Sequence, residues 1–178
     1  MRNIIYYVAS SLDGYISGPD GDISGFVAGG SGVEQYLRDL EAFDTVIMGR
    51  NTYEFGFKYG LVPGTAAYPH MRNIVFSSTL HYETPGPGLE VYPLDEGLIR
   101  DLKAAPGTDI YLCGGGEFAG WLLDRQLIEV LKVKLNPLVL GTGIPLFGRS
   151  ESALQLGLEA SQAFEHGLQI MTYRVLYR

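Results

Sequence analysis

Apolar positions change their period along the chain, and the change divides it. Asn3 to Ala9 is a short β-branched and aromatic run, read as a buried strand. Between Ser10 and Gly32 the period disappears: seven glycines and Pro19 predict a long irregular loop, a type of segment that often carries function. Ser31 has the look of a helix N-cap, and Val33, Tyr36, Leu37, Leu40 and Phe43 recur at helical spacing, predicting a helix over about 32–42. Asp44–Gly49 is a second strand, Thr52–Phe57 a short helix, Gly60–Pro69 a loop, Arg72–Ser77 and Leu89–Tyr92 two further strands. Leu94–Ala104 is helical and stops at Ala105-Pro106-Gly107; Asp109–Cys113 is a strand followed by three glycines and a helix to about Asp124.

The last third has a different rhythm. Ile128–Leu135 alternates as a half-exposed strand, and Pro137–Leu140 is expected to continue it past a bulge. Leu154–Phe164 and Leu168–Tyr177 predict two strands joined at Glu165-His166-Gly167. Alternating strands and helices followed by strands alone predict an α/β fold in one domain, residues 1–178: a mostly parallel mixed sheet flanked by helices, closed by a C-terminal antiparallel hairpin.

Composition narrows the function. The 178 residues include 24 glycines, well above the average share, without a three-residue period. A single cysteine excludes a disulfide framework. The net charge of −7 argues against nucleic acid or an anionic membrane surface as a partner. The uncharged stretch Leu135–Gly148 contains two prolines and is shorter than the roughly 18 residues a span requires, and no signal peptide is evident, so a soluble, cytoplasmic protein is expected. His70, His81 and His166 are too scattered to suggest a metal site.

Two strand-to-helix junctions carry the candidate chemistry. Gly49-Arg50-Asn51-Thr52 would aim backbone N–H groups outward beside a guanidinium fork and a hydroxyl, which suits a phosphate; an ordinary capped helix is the alternative. Gly114-Gly115-Gly116-Glu117-Phe118-Ala119 fits the dinucleotide pattern in letters, but it follows the fifth strand rather than the first, so a Rossmann fold is rejected and only the phosphate cradle retained. In a parallel sheet both turns lie at the carboxyl edge, where Ser77 and Ser78 could join Arg50 around a terminal phosphate such as the 2′-phosphate of NADP.

Val46 to Glu54, Asn73 to Ser78 and Asp109 to Ala119 resemble, in order and spacing, three motifs of the dihydrofolate reductase family. Within that superfamily, Ala9 to Ser17 with its Ser-Leu-Asp-Gly, Gly115-Gly116-Glu117-Phe118, Leu122-Leu123 and Leu138 to Phe147 resemble the reductase domain of the bifunctional deaminase-reductase of riboflavin biosynthesis. The deaminase half has no counterpart, because its zinc site needs more cysteines than this sequence holds. The resemblance implies hydride transfer from NADPH to a small heterocycle or ribosylamino-pyrimidine, as in 5-amino-6-(5-phosphoribosylamino)uracil reduction, by a homodimeric enzyme. It implies nicotinamide near Val8, Ala9 and Ile16, the adenine-side phosphate at Arg50, Ser77 and Ser78, and the pyrophosphate between Gly49–Thr52 and Gly114–Glu117, with Phe118 behind. Asp13, Glu34 and Glu117 are the candidate catalytic carboxylates: Asp13 matches the riboflavin-type motif, and Glu34 falls one residue from the helix carboxylate of dihydrofolate reductases. Each has a plain structural alternative, as turn former, first-turn helix residue and helix cap respectively. A non-catalytic nucleotide- or pterin-binding module and a dihydrofolate reductase proper remain the alternatives.

Overall fold

The computed structural model describes residues 1–177. Its elements follow in the order β1 (Ile4–Ser10), β2 (Tyr15–Ser17), α1 (Ser31–Leu40), β3 (Thr45–Gly49), α2 (Arg50–Phe55), β4 (Arg72–Phe76), β5 (Leu89–Tyr92), α3 (Glu96–Ala104), β6 (Ile110–Gly114), α4 (Gly116–Asp124), β7 (Val130–Leu135), β8 (Ile144–Pro145), β9 (Gln155–Ala163) and β10 (Gln169–Leu176). Eight strands form one sheet in the order β5-β4-β3-β6-β1-β7-β10-β9. All pairs from β5 to β7 are parallel, while β7–β10 and β10–β9 are antiparallel, so the expected hairpin closes the sheet.

The β-branched strands are buried because helices cover both faces. On one face Ile4, Tyr6, Ile47, Ile74 and Leu112 pack with Ile99 and Leu102 of α3 and Phe118 and Leu122 of α4. On the other, Tyr7, Val46, Met48, Val75 and Tyr111 pack with Leu40 and Tyr36 of α1 and Tyr53 of α2.

Several expectations change in detail. The stretch from Ser10 to Gly32 is not wholly irregular: β2 lies inside it and pairs antiparallel with β8, an element too short to show a period. Gly30, not Ser31, is the N-cap of α1; the Ser31 amide donates instead to Glu165 in the β9–β10 turn, at 2.7 Å. The first helix after Gly49 starts at Arg50, two residues early, and α3 starts at Glu96, capped by Asp95, whose carboxylate accepts from the Leu98 amide at 2.7 Å. Pro137–Leu140 does not continue β7. Asn136 ends the strand by turning its buried amide onto backbone, accepting from the Val27 amide at 2.9 Å and donating to the Lys134 carbonyl at 3.0 Å.

The core is rich in tyrosine, and that has a consequence at high pH. Burial raises the Tyr6, Tyr7 and Tyr111 hydroxyls well above their ordinary value and pushes Tyr36 up to about 12. A raised folded-state pKa contributes stability that is complete below about 10, where unfolded tyrosine titrates, and is lost as pH rises beyond it. Lys134, lowered by burial to about 8, works in the opposite direction, but it is one group against several. The melting temperature is therefore expected to fall steeply above about pH 10; an unchanged melt at pH 11 would contradict this burial.

Candidate functional site

Parallel pairing brings the carboxyl ends of β1, β3 and β6 to one edge, and a cavity of about 810 Å³ opens there. That volume lies in the range of small-molecule and cofactor sites. Val8 of β1, Ile16 of β2, Met48 and Gly49 of β3, Cys113 of β6 and Ile144 of β8 line it, together with the starts of α2 and α4. The small β2–β8 sheet thus forms one wall. Leu61, Ala67 and Tyr68, from the loop after α2, form another.

The two glycine junctions meet in this cleft. Gly49, Arg50, Asn51 and Thr52 line it from one side, and Gly115, Gly116, Glu117 and Phe118 from the other. They are in contact: a Cβ on Gly115 would lie 2.9 Å from Thr52 Oγ1, and one on Gly49 would lie 3.4 Å from Phe118 Cβ. Gly114 itself is outside the lining; it has φ +132° and is joined to Gly115 by a cis peptide bond. Glycine is required because backbone, hydroxyl and ring approach this closely.

The rim carries the cation. Arg50 is exposed and held by two partners, donating from Nε to Glu54 at 2.8 Å and from a terminal nitrogen to Thr79 Oγ1 at 2.7 Å. Ser77 and Ser78 do not line the cavity. The Ser77 hydroxyl organises the turn instead, accepting from the amides of Thr79 at 3.1 Å and Leu80 at 2.9 Å. This turn delivers Thr79 to Arg50, a partner missed in the sequence although it sits only two residues beyond Ser77. Ala9, next to Val8 in β1, falls on the alternate face and is also outside the lining.

The three candidate carboxylates separate. Asp13 is exposed and outside the cleft lining. It accepts from the Ser11 hydroxyl at 2.7 Å and from the amides of Leu140 at 3.1 Å and Gly141 at 2.7 Å. These bonds, that of Ser11 foremost, hold its carboxyl below the usual range, at about 2. Asp13 thus joins the β1–β2 turn to the loop before β8. Glu34 is likewise not brought to the site; it is exposed in the first turn of α1, 3.8 Å from Arg38. Only Glu117 lines the cavity, but its side chain is 68% exposed and lies 3.5 Å from Arg149, away from the floor.

Residues 91–170 match the family model described as the RibD C-terminal domain. The uncharacterized protein YwjB of Bacillus subtilis (strain 168) is 29% identical over 177 residues, covering 95% of this chain and 96% of that one. A protein from Shewanella sp. PV-4 named for riboflavin biosynthesis superposes with a TM-score of 0.80 and 26% identity, covering 99% of this chain and all of that one. The dihydrofolate reductase of Enterococcus faecalis, solved with NADP(H), superposes with a TM-score of 0.68 at 16% identity, covering 98% and 97% of the two chains, which is a likeness of fold. The chain has the dihydrofolate reductase-like fold, and its residues 91–170 are similar to the RibD C-terminal domain.

Within this frame the cleft wall holds residues that the sequence did not single out. Cys113 stands in the cavity wall beside Tyr68, with the Tyr68 hydroxyl 3.4 Å from its sulfur. Burial pushes the Cys113 thiol up, so it is protonated at neutral pH. Tyr36 and Tyr111 join hydroxyls at 2.6 Å behind it. The position of Cys113, last before the glycines of a strand ending at the cleft, was the available signal. Tyr111 lies two residues before Cys113 on the same face of β6, whereas Tyr36 and Tyr68 come from α1 and a loop, and nothing local in the sequence links those two to the strand.

Proposed function

We propose that this protein is an NADPH-dependent reductase of a small heterocycle, of the ribosylamino-pyrimidine kind, acting by hydride transfer. The observation that carries the reading is the contact between the two glycine junctions, which makes one cradle of Thr52, Gly49 and Gly115 beneath a rim arginine. An extended dinucleotide suits such a cradle. Glycine leaves room for a pyrophosphate close to the backbone, and Arg50 with Thr79 offers a charge-assisted site for a 2′-phosphate. The relation to the RibD C-terminal domain supports a reductase-type role in riboflavin biosynthesis.

Val8, Ile16 and Ile144 give one side of the cleft an apolar wall, which suits a nicotinamide ring. When bound, NADPH supplies the hydride; the chain's own groups hold and orient it and provide a proton. Asp13 contributes by fixing the loop before β8, and thereby the wall at Ile144. The test is a fluorescence titration of the purified protein with NADPH and with NADH. NADPH is expected to bind more tightly. Failure to bind either nucleotide would overturn the reading; equal affinity would remove Arg50 and Thr79 from it.

A further inference from the structure

Behind Cys113 and Tyr68 the cleft wall continues into a polar group for which cofactor binding has no use. Tyr68 and Tyr111 meet edge to face with centroids 5.6 Å apart, and Tyr111 shares its hydroxyl bond with Tyr36 of α1. Lys134 of β7, opposite Ala9 in the ladder, closes the group. Its Nζ sits 3.6 Å from the centre of the Tyr36 ring, and the Cys113 thiol is near enough to interact with it electrostatically.

Lys134 differs from the other lysines of the chain. Lys58 donates to the Asp20 carbonyl, Lys103 pairs with Glu129, and Lys132 pairs with Asp39 at 2.6 Å. Lys134 has no carboxylate and no hydrogen-bond acceptor among the described residues, only the face of Tyr36. A partly buried cation without an anion is costly, and the ring recovers only part of the cost. No sealed side-chain nitrogen or oxygen among the described residues lacks a partner, so the unpaired ammonium keeps some accessible surface. Tyr68 and Cys113 of this group line the cleft, and Tyr36, Tyr111 and Lys134 lie beside them, Lys134 at the carboxyl end of β7 next to that of β1, the edge where the cleft opens and where each candidate carboxylate is absent or turned away.

We propose that Lys134 is a catalytic residue: its ammonium donates a hydrogen bond to the nitrogen of a reducible C=N group on an oxo-substituted heterocycle, and passes that nitrogen a proton. The inference rests on the reductase reading above and names the proton source which that reading leaves open. The C=N carbon accepts the hydride from the dihydronicotinamide, the π pair moves to nitrogen, and nitrogen takes the Lys134 proton. The substrate is reduced to CH–NH, the nicotinamide is oxidised, and the neutral amine regains a proton from water. Burial lowers Lys134 to about 8, so the group is charged at neutral pH yet gives up its proton more readily than an exposed lysine. The groups facing it are Tyr36 of α1 and Cys113 of β6, with Tyr68 and Tyr111 behind, while Lys132 and its partner Asp39 lie next on the same face of β7. The thiol and the buried tyrosines have raised pKa values and stay neutral at pH 8.

Reductive methylation with [13C]formaldehyde labels all four lysines and the amino terminus, and Lys134→Arg assigns the Lys134 signal by its disappearance. That signal is expected to titrate near 8. It is expected to shift when 5-amino-6-(5-phosphoribosylamino)uracil is added with NADP+. In unmodified protein, Lys134→Met is expected to leave NADPH affinity within twofold and reduce turnover of the same compound at least a hundredfold. Lys134→Arg keeps the charge; it is expected to preserve KM, lower kcat and remove the alkaline limb near pH 8. A Lys134 signal that ignores the compound, or a Lys134→Met enzyme with unchanged kcat and pH profile, overturns the proposal. Loss of NADPH binding by the wild type would instead overturn the reductase reading, so the two failures are distinguishable.

Discussion

Gly116→Ala is expected to destabilise the protein and disable the cleft together. Gly116 opens α4, and a Cβ there would run into the Pro145 carbonyl of β8, with the Gly148 amide 3.1 Å away. One turn later Gly120 meets the Phe147 carbonyl in the same manner, and in return a Cβ on Gly148 would lie 2.8 Å from Glu117 Cα. The helix and the segment 143–148 therefore pack backbone against backbone, and no flexible side chain is available to yield. Overpacking of this kind costs about 1–3 kcal/mol and occasionally more. For a chain of this size each kcal/mol lowers the melting temperature by roughly 2–4 °C. The strain would be relieved by moving β8, which is paired with β2, so the Ile16 and Ile144 walls of the cavity would move with it. NADPH binding is thus expected to weaken in the same variant. Gly29→Ala is the control, since its Cβ would meet nothing within 4 Å, and its melting temperature is expected to stay close to that of the wild type. A Gly116→Ala protein that melts and binds like the wild type would show that this packing is not required.

The contrast between these two glycines explains how far the sequence could be read. Strand and helix order was legible because Val46–Met48, Ile110–Leu112 and Glu96–Ala104 carry strong local periods, and a parallel sheet brings their ends to one edge regardless of detail. Gly49–Thr52 and Gly115–Phe118 were legible for the same reason: a glycine at a strand-to-helix junction has local meaning. The role of Gly116 against Pro145 was not, because the partner lies far along the chain in a two-residue strand with no period of its own. Asp13 shows the same limit. Its motif marked an important position, but the amides of Leu140 and Gly141 that tie it to the loop before β8 lie far along the sequence. Cys113, Tyr36, Tyr68 and Lys134 belong to four separate elements or loops, and only the fold makes them neighbours.

Arg50→Ala is expected to erase most of the preference for NADPH over NADH. Losing one charge-assisted hydrogen bond costs about 1.5–3 kcal/mol, which is roughly a 10- to 150-fold loss of affinity. NADH has no 2′-phosphate, so its affinity is expected to change little. The lower end of the range is favoured by what Arg50 already does: its Nε is engaged by Glu54 at 2.8 Å, and a phosphate must share or displace that carboxylate. The pair is exposed, so separating it costs less than about 1 kcal/mol, while Glu54 keeps a negative charge beside the incoming phosphate. Removing that charge should therefore act in the opposite direction, and Glu54→Gln is expected to tighten NADPH binding without affecting NADH. Both effects should shrink as salt is raised from about 0.05 M to 0.5 M, because the rim is exposed and screened. Thr79→Ala should cost less than Arg50→Ala, since the hydroxyl only holds the guanidinium in place at 2.7 Å. Titrations of the two nucleotides against all three variants check this ordering. An Arg50→Ala protein that still favours NADPH would move the 2′-phosphate away from this rim, while leaving open the proposal that the glycine cradle below it receives the pyrophosphate.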